Sequence, residues 1–520
     1  MQSVGENRVQ CVLMKRNAAH LFSLLALLLL PQAAVAAEHH VQAGNSALKN
    51  AVAAAKDGDT LVLEAGVYYE HVHIDKKLTI RGEKGAILEG ATPLKADWSA
   101  ADGLGKVYVA KSEKRPEGLL VDGKFIAEIR FDRAQENGDW HWKTLLAKGT
   151  PLKGFEHIRA AWMYHPKEKQ MYVRLENGAS PDKAALTVVM SGKPLIEIAA
   201  AGVVVEGLTL RGGVDAVKLT AGAKDCVIRR CRVTSYEGGG MVITGGASNC
   251  TIEDCEITRG ALEEWQPSEQ NRRENYEIWR IHKDVGKYDR VGIELNQAGA
   301  GNRILRNHLD RVFDGICLGD YRAESLDKPL PDPDHGRGTE IAENVIENTR
   351  DSGIELGVGC IDVNVHHNTL RRTHGGFRFK LPRIGPVFIH HNHLIDGTPF
   401  NIWFSMDSSP AEGYVYHNTI TGGSDAALVY SSFNAKRDFA TPKWHFLNNL
   451  ALQVKDGFFE QRKGTPPRDF TEKNNVTTDG AGAATDAGLD LSTYRNGKPL
   501  PGCEPGYFKG KAPDAGADEK

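Results

Sequence analysis

Along most of the chain, apolar and polar residues alternate in short runs, and Gly, Asn or Asp separates one run from the next. Alternation with period two predicts half-buried strands, and the spacers predict corners. The runs also repeat. Cys226 and Cys250 are 24 residues apart, and so are Cys231 and Cys255. Farther along, Asn307 ("ILRNHL"), Asn344, Asn368, Asn392, Asn418 and Asn448 ("FLNNLA") take over the position of the second cysteine. A strand-only repeat of this length predicts one coil of a parallel β-helix per repeat. Coils stacked about 4.8 Å apart share one core, so like residues form ladders. The asparagines are expected as stacked amides at a bend. The cysteine pairs are expected on neighbouring rungs, either as disulfides or as small buried residues.

One strand can be aligned across the rungs: "AVKLT" (216–220), "GMVIT" (240–244), "GIELN" (292–296), "GICLG" (315–319), "GIELG" (353–357), "GFRFK" (376–380), "NIWFS" (401–405) and "ALVYS" (427–431). Positions two and four are apolar and are expected to face inward. Position three is expected to face out. It reads Lys218, Val242, Glu294, Cys317, Glu355, Arg378, Trp403 and Val429. Position five adds Asn296 and Lys380, and Asp320, Arg383 and Asp407 follow their strands closely. Two carboxylates, two cations and an exposed tryptophan within about 20 Å make more than ordinary surface. Trp403 offers an apolar face for a pyranose ring. Arg378, Lys380 and Arg383 suit carboxylate or sulfate groups, and Asn296 and Asp407 complete the binding set. Cys317 reads as an inert thiol. His366–His367, His390–His391 and His417 recur at coil spacing and read as a stacked imidazole ladder before a zinc site.

The rhythm breaks in places and divides the chain. Residues 1–37 hold Lys15–Arg16, the apolar run "LFSLLALLLL" and small residues near Ala36–Ala37, the pattern of a cleaved secretory signal peptide. The protein is therefore expected outside the cytoplasm, with no membrane span and as a monomer. Residues 38–90 read as a cap and first coils, and 91–192 as a β-rich insertion. Residues 193–478 read as the main β-helix, with loops 259–290 and 321–338, and 479–520 as a tail. Without residues 1–37, which carry Glu6, Arg8, Lys15 and Arg16, the formal charge of −3 becomes −5. That argues against nucleic-acid binding, so an anionic partner has to be held by a local cluster.

"GDTLVLEAGVYYEHVHIDKKLTIRGEKGAILEG" (58–90) resembles the first coils of exported right-handed parallel β-helix proteins of the pectin-lyase-like kind. "NSALKNAVAAA" (45–55) resembles the short helix that caps them, and "APDAGADE" (512–519) resembles their ending. The resemblance implies an all-β solenoid and a carbohydrate-active protein, in a group that includes lyases, hydrolases, epimerases and adhesins. Two chemistries fit the aligned strand. In glycoside hydrolysis, Glu294 and Glu355 stand two rungs apart, about 9.6 Å, as an inverting pair, with Asp320 between them. In β-elimination on a uronic acid polymer, Arg378 neutralises the sugar carboxylate and Lys380 is the base, provided cationic neighbours lower its pKa. Glu294, Asp320, Glu355 and Asn296 then offer oxygen ligands for Ca²⁺, although hydrolysis needs no cofactor. The layout of 91–192 resembles large β-helix glycoside hydrolases, which favours cleavage of an acidic polysaccharide by hydrolysis. A non-catalytic glycan binder is the competing class.

Overall fold

The computed structural model describes residues 36–131, 158–262, 290–319, 336–357, 360–380, 385–404, 412–431, 443–462 and 470–518. Three long sheets run through it, of 13, 12 and 11 strands, and every neighbouring pair in them is parallel. Each coil contributes one strand to each sheet, so the chain winds as a parallel β-helix, the fold class its alternation predicts. The coil length leaves only two to six residues per strand, with a corner between strands.

The period-two pattern sorts the side chains. On the 11-stranded sheet, Val217, Met241, Ile293, Ile316, Ile354, Phe377, Ile402 and Leu428 point into the solenoid and are fully buried. So are their partners two residues on, from Leu219 to Phe404. The core becomes aromatic toward the C-terminal coils, where Phe379, Phe404, Trp444 and Phe470 pack edge-to-face or tilted.

The asparagine ladder forms at one corner. Each side-chain amide donates to the carbonyl oxygen of the next, from Asn307 to Asn344, Asn368, Asn392 and Asn418, at 2.9–3.0 Å. The series continues to Asn449 and Asn475, not to Asn448. The corner explains the difference. On each coil the residue just before the ladder takes a left-handed conformation, with φ of 53° at His391, 49° at His417 and 51° at Asn448. Asn448 is therefore the corner residue, and its side chain turns outward to bond Leu489 in the tail. At the other end Cys255 stands in the asparagine position, since its N–H donates to Asn307 Oδ1. All seven described cysteines are buried free thiols.

Two additions shape the solenoid. A helix, Ala47–Ala54, covers the first coil with Leu48 and Val52. Its first N–H groups, at Leu48 and Lys49, donate to the Glu70 carboxylate. Between residues 92 and 189 lie two smaller, mainly antiparallel sheets of four and five strands. They meet the solenoid at a buried charge network in which Arg115 pairs with Glu128, and Arg290 and Arg259 pair with Glu237.

The tail crosses the outside of the 13-stranded sheet. Leu491, Leu500 and Cys503 pack on Phe388, Tyr414, Tyr416 and Leu447, and Tyr416 Oη donates to the Pro501 carbonyl. Beneath it the histidines stack: His366 on His390 at 5.1 Å, His367 on His391 at 5.2 Å, and His391 on His417 at 5.3 Å. Burial disfavours the imidazolium, so His391 is pushed down to about 3 and His417 to about 4, and His390 falls well below 6.5. These groups are neutral when folded and bind protons near 6.5 when unfolded. Their contribution to stability is thus present above pH 6.5 and is lost as pH falls from there toward 3. We expect hydrogen exchange in residues 489–518 to rise steeply between pH 6.5 and 4, and His391→Phe to flatten that rise.

Candidate functional site

The 11-stranded sheet carries the candidate residues on its outer side. Strand pairing places Lys218 beside Val242, then Glu294, Cys317, Glu355, Arg378, Trp403 and Val429, one per rung. The row extends downward through Glu197 to His73 and upward to Glu460. Glu294 and Glu355 are therefore two rungs apart, about 9.6 Å between Cα atoms. Asp320, Arg383 and Asp407 lie outside the described residues.

Outward direction does not mean exposure here. Glu355 is 2 % exposed, Arg378 4 % and Trp403 8 %. The Arg378 guanidinium lies 4.2 Å from the Trp403 ring centroid, and Phe400 stacks on the same ring at 4.5 Å. Arg378 Nη1 also pairs with Asp351 Oδ1 at 3.2 Å and Glu355 Oε2 at 3.6 Å. Lys380 Nζ donates to Glu355 at 2.8 Å, and Ser352 Oγ lies 3.3 Å from Glu355 Oε2. Adjacent rungs bring opposite charges into contact, and the flat indole covers the guanidinium. Trp403 is thus not an open sugar platform, and Arg378 is a buried member of an ion-pair knot rather than a solvent-facing grip.

Lys380 is the part of this knot that reaches solvent, with a third of its side chain exposed. Burial works against its charge, but Glu355 beside it outweighs this and holds the ammonium above the usual lysine range. The lowered pKa that a lysine base requires is not met. The Glu355 oxygens face two cations, which also makes them a poor fit for Ca²⁺. Among the described residues, no group of three or more His, Cys, Asp or Glu is placed to hold a metal ion.

Glu294 has different company. It is half-buried within the Val291–Asn296 strand, two residues before its end. Burial pushes its carboxyl up, against the Asn296 amide that donates to Glu294 Oε1 at 3.3 Å. The charge of Asp215 pushes it further up, and that of Lys218 opposes this. The Asn296 side-chain oxygen is buried with no hydrogen-bond partner among the described residues. A buried orphan acceptor costs about 1–3 kcal/mol, and a hydroxyl donor bound beside Glu294 would satisfy it.

Asp215 was not legible as a candidate, because it lies in the corner just before its strand. Its carboxylate accepts from Gly239 N–H at 2.9 Å and sits 3.7 Å from Lys218 Nζ. The only signal in the sequence is that other strands of this sheet also carry a polar residue two positions before the first inward residue, such as Asp314 and Ser352.

Residues 195–420 match the family model described as a right-handed β-helix region. The chain is a right-handed parallel β-helix. No curated protein matches this β-helix in sequence. Among solved structures it is similar to a glycoside hydrolase at 12 % identity and a TM-score of 0.48, over 85 % of this chain and 96 % of that one. It is also similar to a pectate lyase at 12 % and 0.40, over 93 % and 96 %, and to an exopolygalacturonase from Thermotoga maritima at 11 % and 0.33, over 81 % and 84 %. Among the described residues, no helix of the β-helix is long and apolar enough to cross a membrane.

Proposed function

We propose that this β-helix is an exported glycan-cleaving enzyme that works by hydrolysis, on a chain carrying acidic groups. The observation that supports it best is the contrast between two carboxyls on one face. Glu294 is half-buried, raised and next to an unsatisfied amide oxygen, which suits a general acid. Asp215 faces Lys218 and a backbone N–H, which suits the partner carboxyl that activates water or receives the sugar. The buried Glu355 then has a supporting role: it holds the Lys380 ammonium toward the face, where an acidic substituent would meet it. Elimination is the weaker reading because Lys380 is held protonated. Digestion of uronic, sulfated and neutral glycans separates the two. Hydrolysis yields reducing ends with no unsaturated chromophore near 232 nm, and a rise at that wavelength would sink this reading. Binding across the panel with no turnover would point to a binder.

A further inference from the structure

The same sheet face has a concave place beginning three rungs from Glu294. At the capped end of the solenoid a cavity of about 520 Å³ opens between the helix Ala47–Ala54 and the first two strands of the 11-stranded sheet. Three lysines line it: Lys49 from the helix, Lys76 from the turn after the Val72–Ile74 strand, and Lys193 from the re-entry into the solenoid. His71 and His73 lie on its floor. Its two acids, Asp75 and Glu197, are outnumbered by the three lysines, and Glu197 Oε2 already lies 3.0 Å from His73 Nδ1.

The cations also differ in what they already hold. Lys76 is tied to the carbonyls of Ala53 and Ala55 at the end of the helix. His71 Nδ1 is tied to the Pro194 carbonyl. Lys49 and Lys193 are exposed, one on each wall. The helix N-terminus itself is satisfied by Glu70, so the field at this place comes from the side chains.

Register connects the cavity to the candidate site. His73 pairs with Glu197, then Lys218, Val242 and Glu294, all in the same outward row. Glu197 is three rungs from Glu294, about 14 Å, and Lys218 stands between them as a further partly exposed cation.

We infer that this cavity is a distal subsite that takes a carboxylate or sulfate group of a glycan chain lying along the sheet, gripped by Lys49 and Lys193. The inference rests on the proposed glycan-cleaving role, and it adds where the far end of the substrate is held. A short oligomer at Glu294 does not reach the cavity, whereas a chain that spans three rungs does. The lysines grip as mobile point charges, so they reward charge at that distance and not a particular sugar.

The test is a length series of oligogalacturonides titrated by calorimetry into the mature wild-type protein and into Lys49→Ala/Lys193→Ala. Both substitutions are on exposed side chains away from Glu294 and Asp215. Wild type should gain affinity once the oligomer spans the distance, and the double variant should lose about tenfold for the long oligomers and nothing for the short ones. Short oligomers that bind and are cleaved, with no gain from length, would overturn the subsite and leave the hydrolase reading standing. No binding or turnover at any length would overturn both. Inorganic sulfate alone that competes as well as the long oligomer would show an adventitious ion only, and would also overturn it.

Discussion

Replacing Glu294 with Gln should lower turnover about 10²- to 10⁴-fold while glycan binding stays within a few-fold of wild type. Gln keeps the size and the hydrogen bond to Asn296 but has no proton to give the leaving group. The pH profile carries the same prediction with a definite sign. Burial and the Asp215 charge raise the Glu294 carboxyl, and an acid catalyst works only while protonated. Activity should therefore fall on the alkaline side, as pH rises through that raised value. Lys218 lowers the Glu294 pKa, so Lys218→Met should move the alkaline limb upward. Initial rates against pH for the three proteins check this. Full activity in Glu294→Gln would remove Glu294 from the chemistry.

The largest stability effect is expected at the middle of the amide ladder. In Asn392→Ala, the Asn368 N–H and side-chain amide lose their common acceptor. The Val365 and His390 carbonyls lose a donor, as does Asn418 Oδ1. All of these groups are buried, so water replaces them poorly. Several such losses at about 1 kcal/mol or more each predict a cost of about 3–5 kcal/mol. Asn475→Ala, at the partly buried end of the ladder, should cost much less. Urea denaturation of the two variants measures both, and a cost below about 1 kcal/mol at Asn392 would mean that the ladder does not hold the coils.

The fold was legible because a solenoid reports itself twice. Period-two alternation reveals each strand, and recurrence near 24 residues reveals the stack. That was enough to align eight strands in their observed register, down to Glu294 opposite Cys317 and Cys317 opposite Glu355. The ladder misassignment at Asn448 shows where this reading ends. Two adjacent asparagines look alike in sequence, and only the left-handed corner tells which one turns inward.

The site was legible as a row but not as an environment. Alternation says that Arg378, Glu355 and Trp403 leave the core; it does not say what covers them afterward. In the structure they cover one another, through charge contacts between rungs and a guanidinium over an indole. Asp215 escaped because corners lack the alternation that marks strands. By itself, then, the sequence determined which residues share a face and in what order, because strand periodicity and coil length set direction and rung. Tertiary structure decided which of them stay available for chemistry. Burial, neutralisation and protonation depend on neighbours brought together from coils 20 or more residues apart, and a pattern read along one strand holds no record of them.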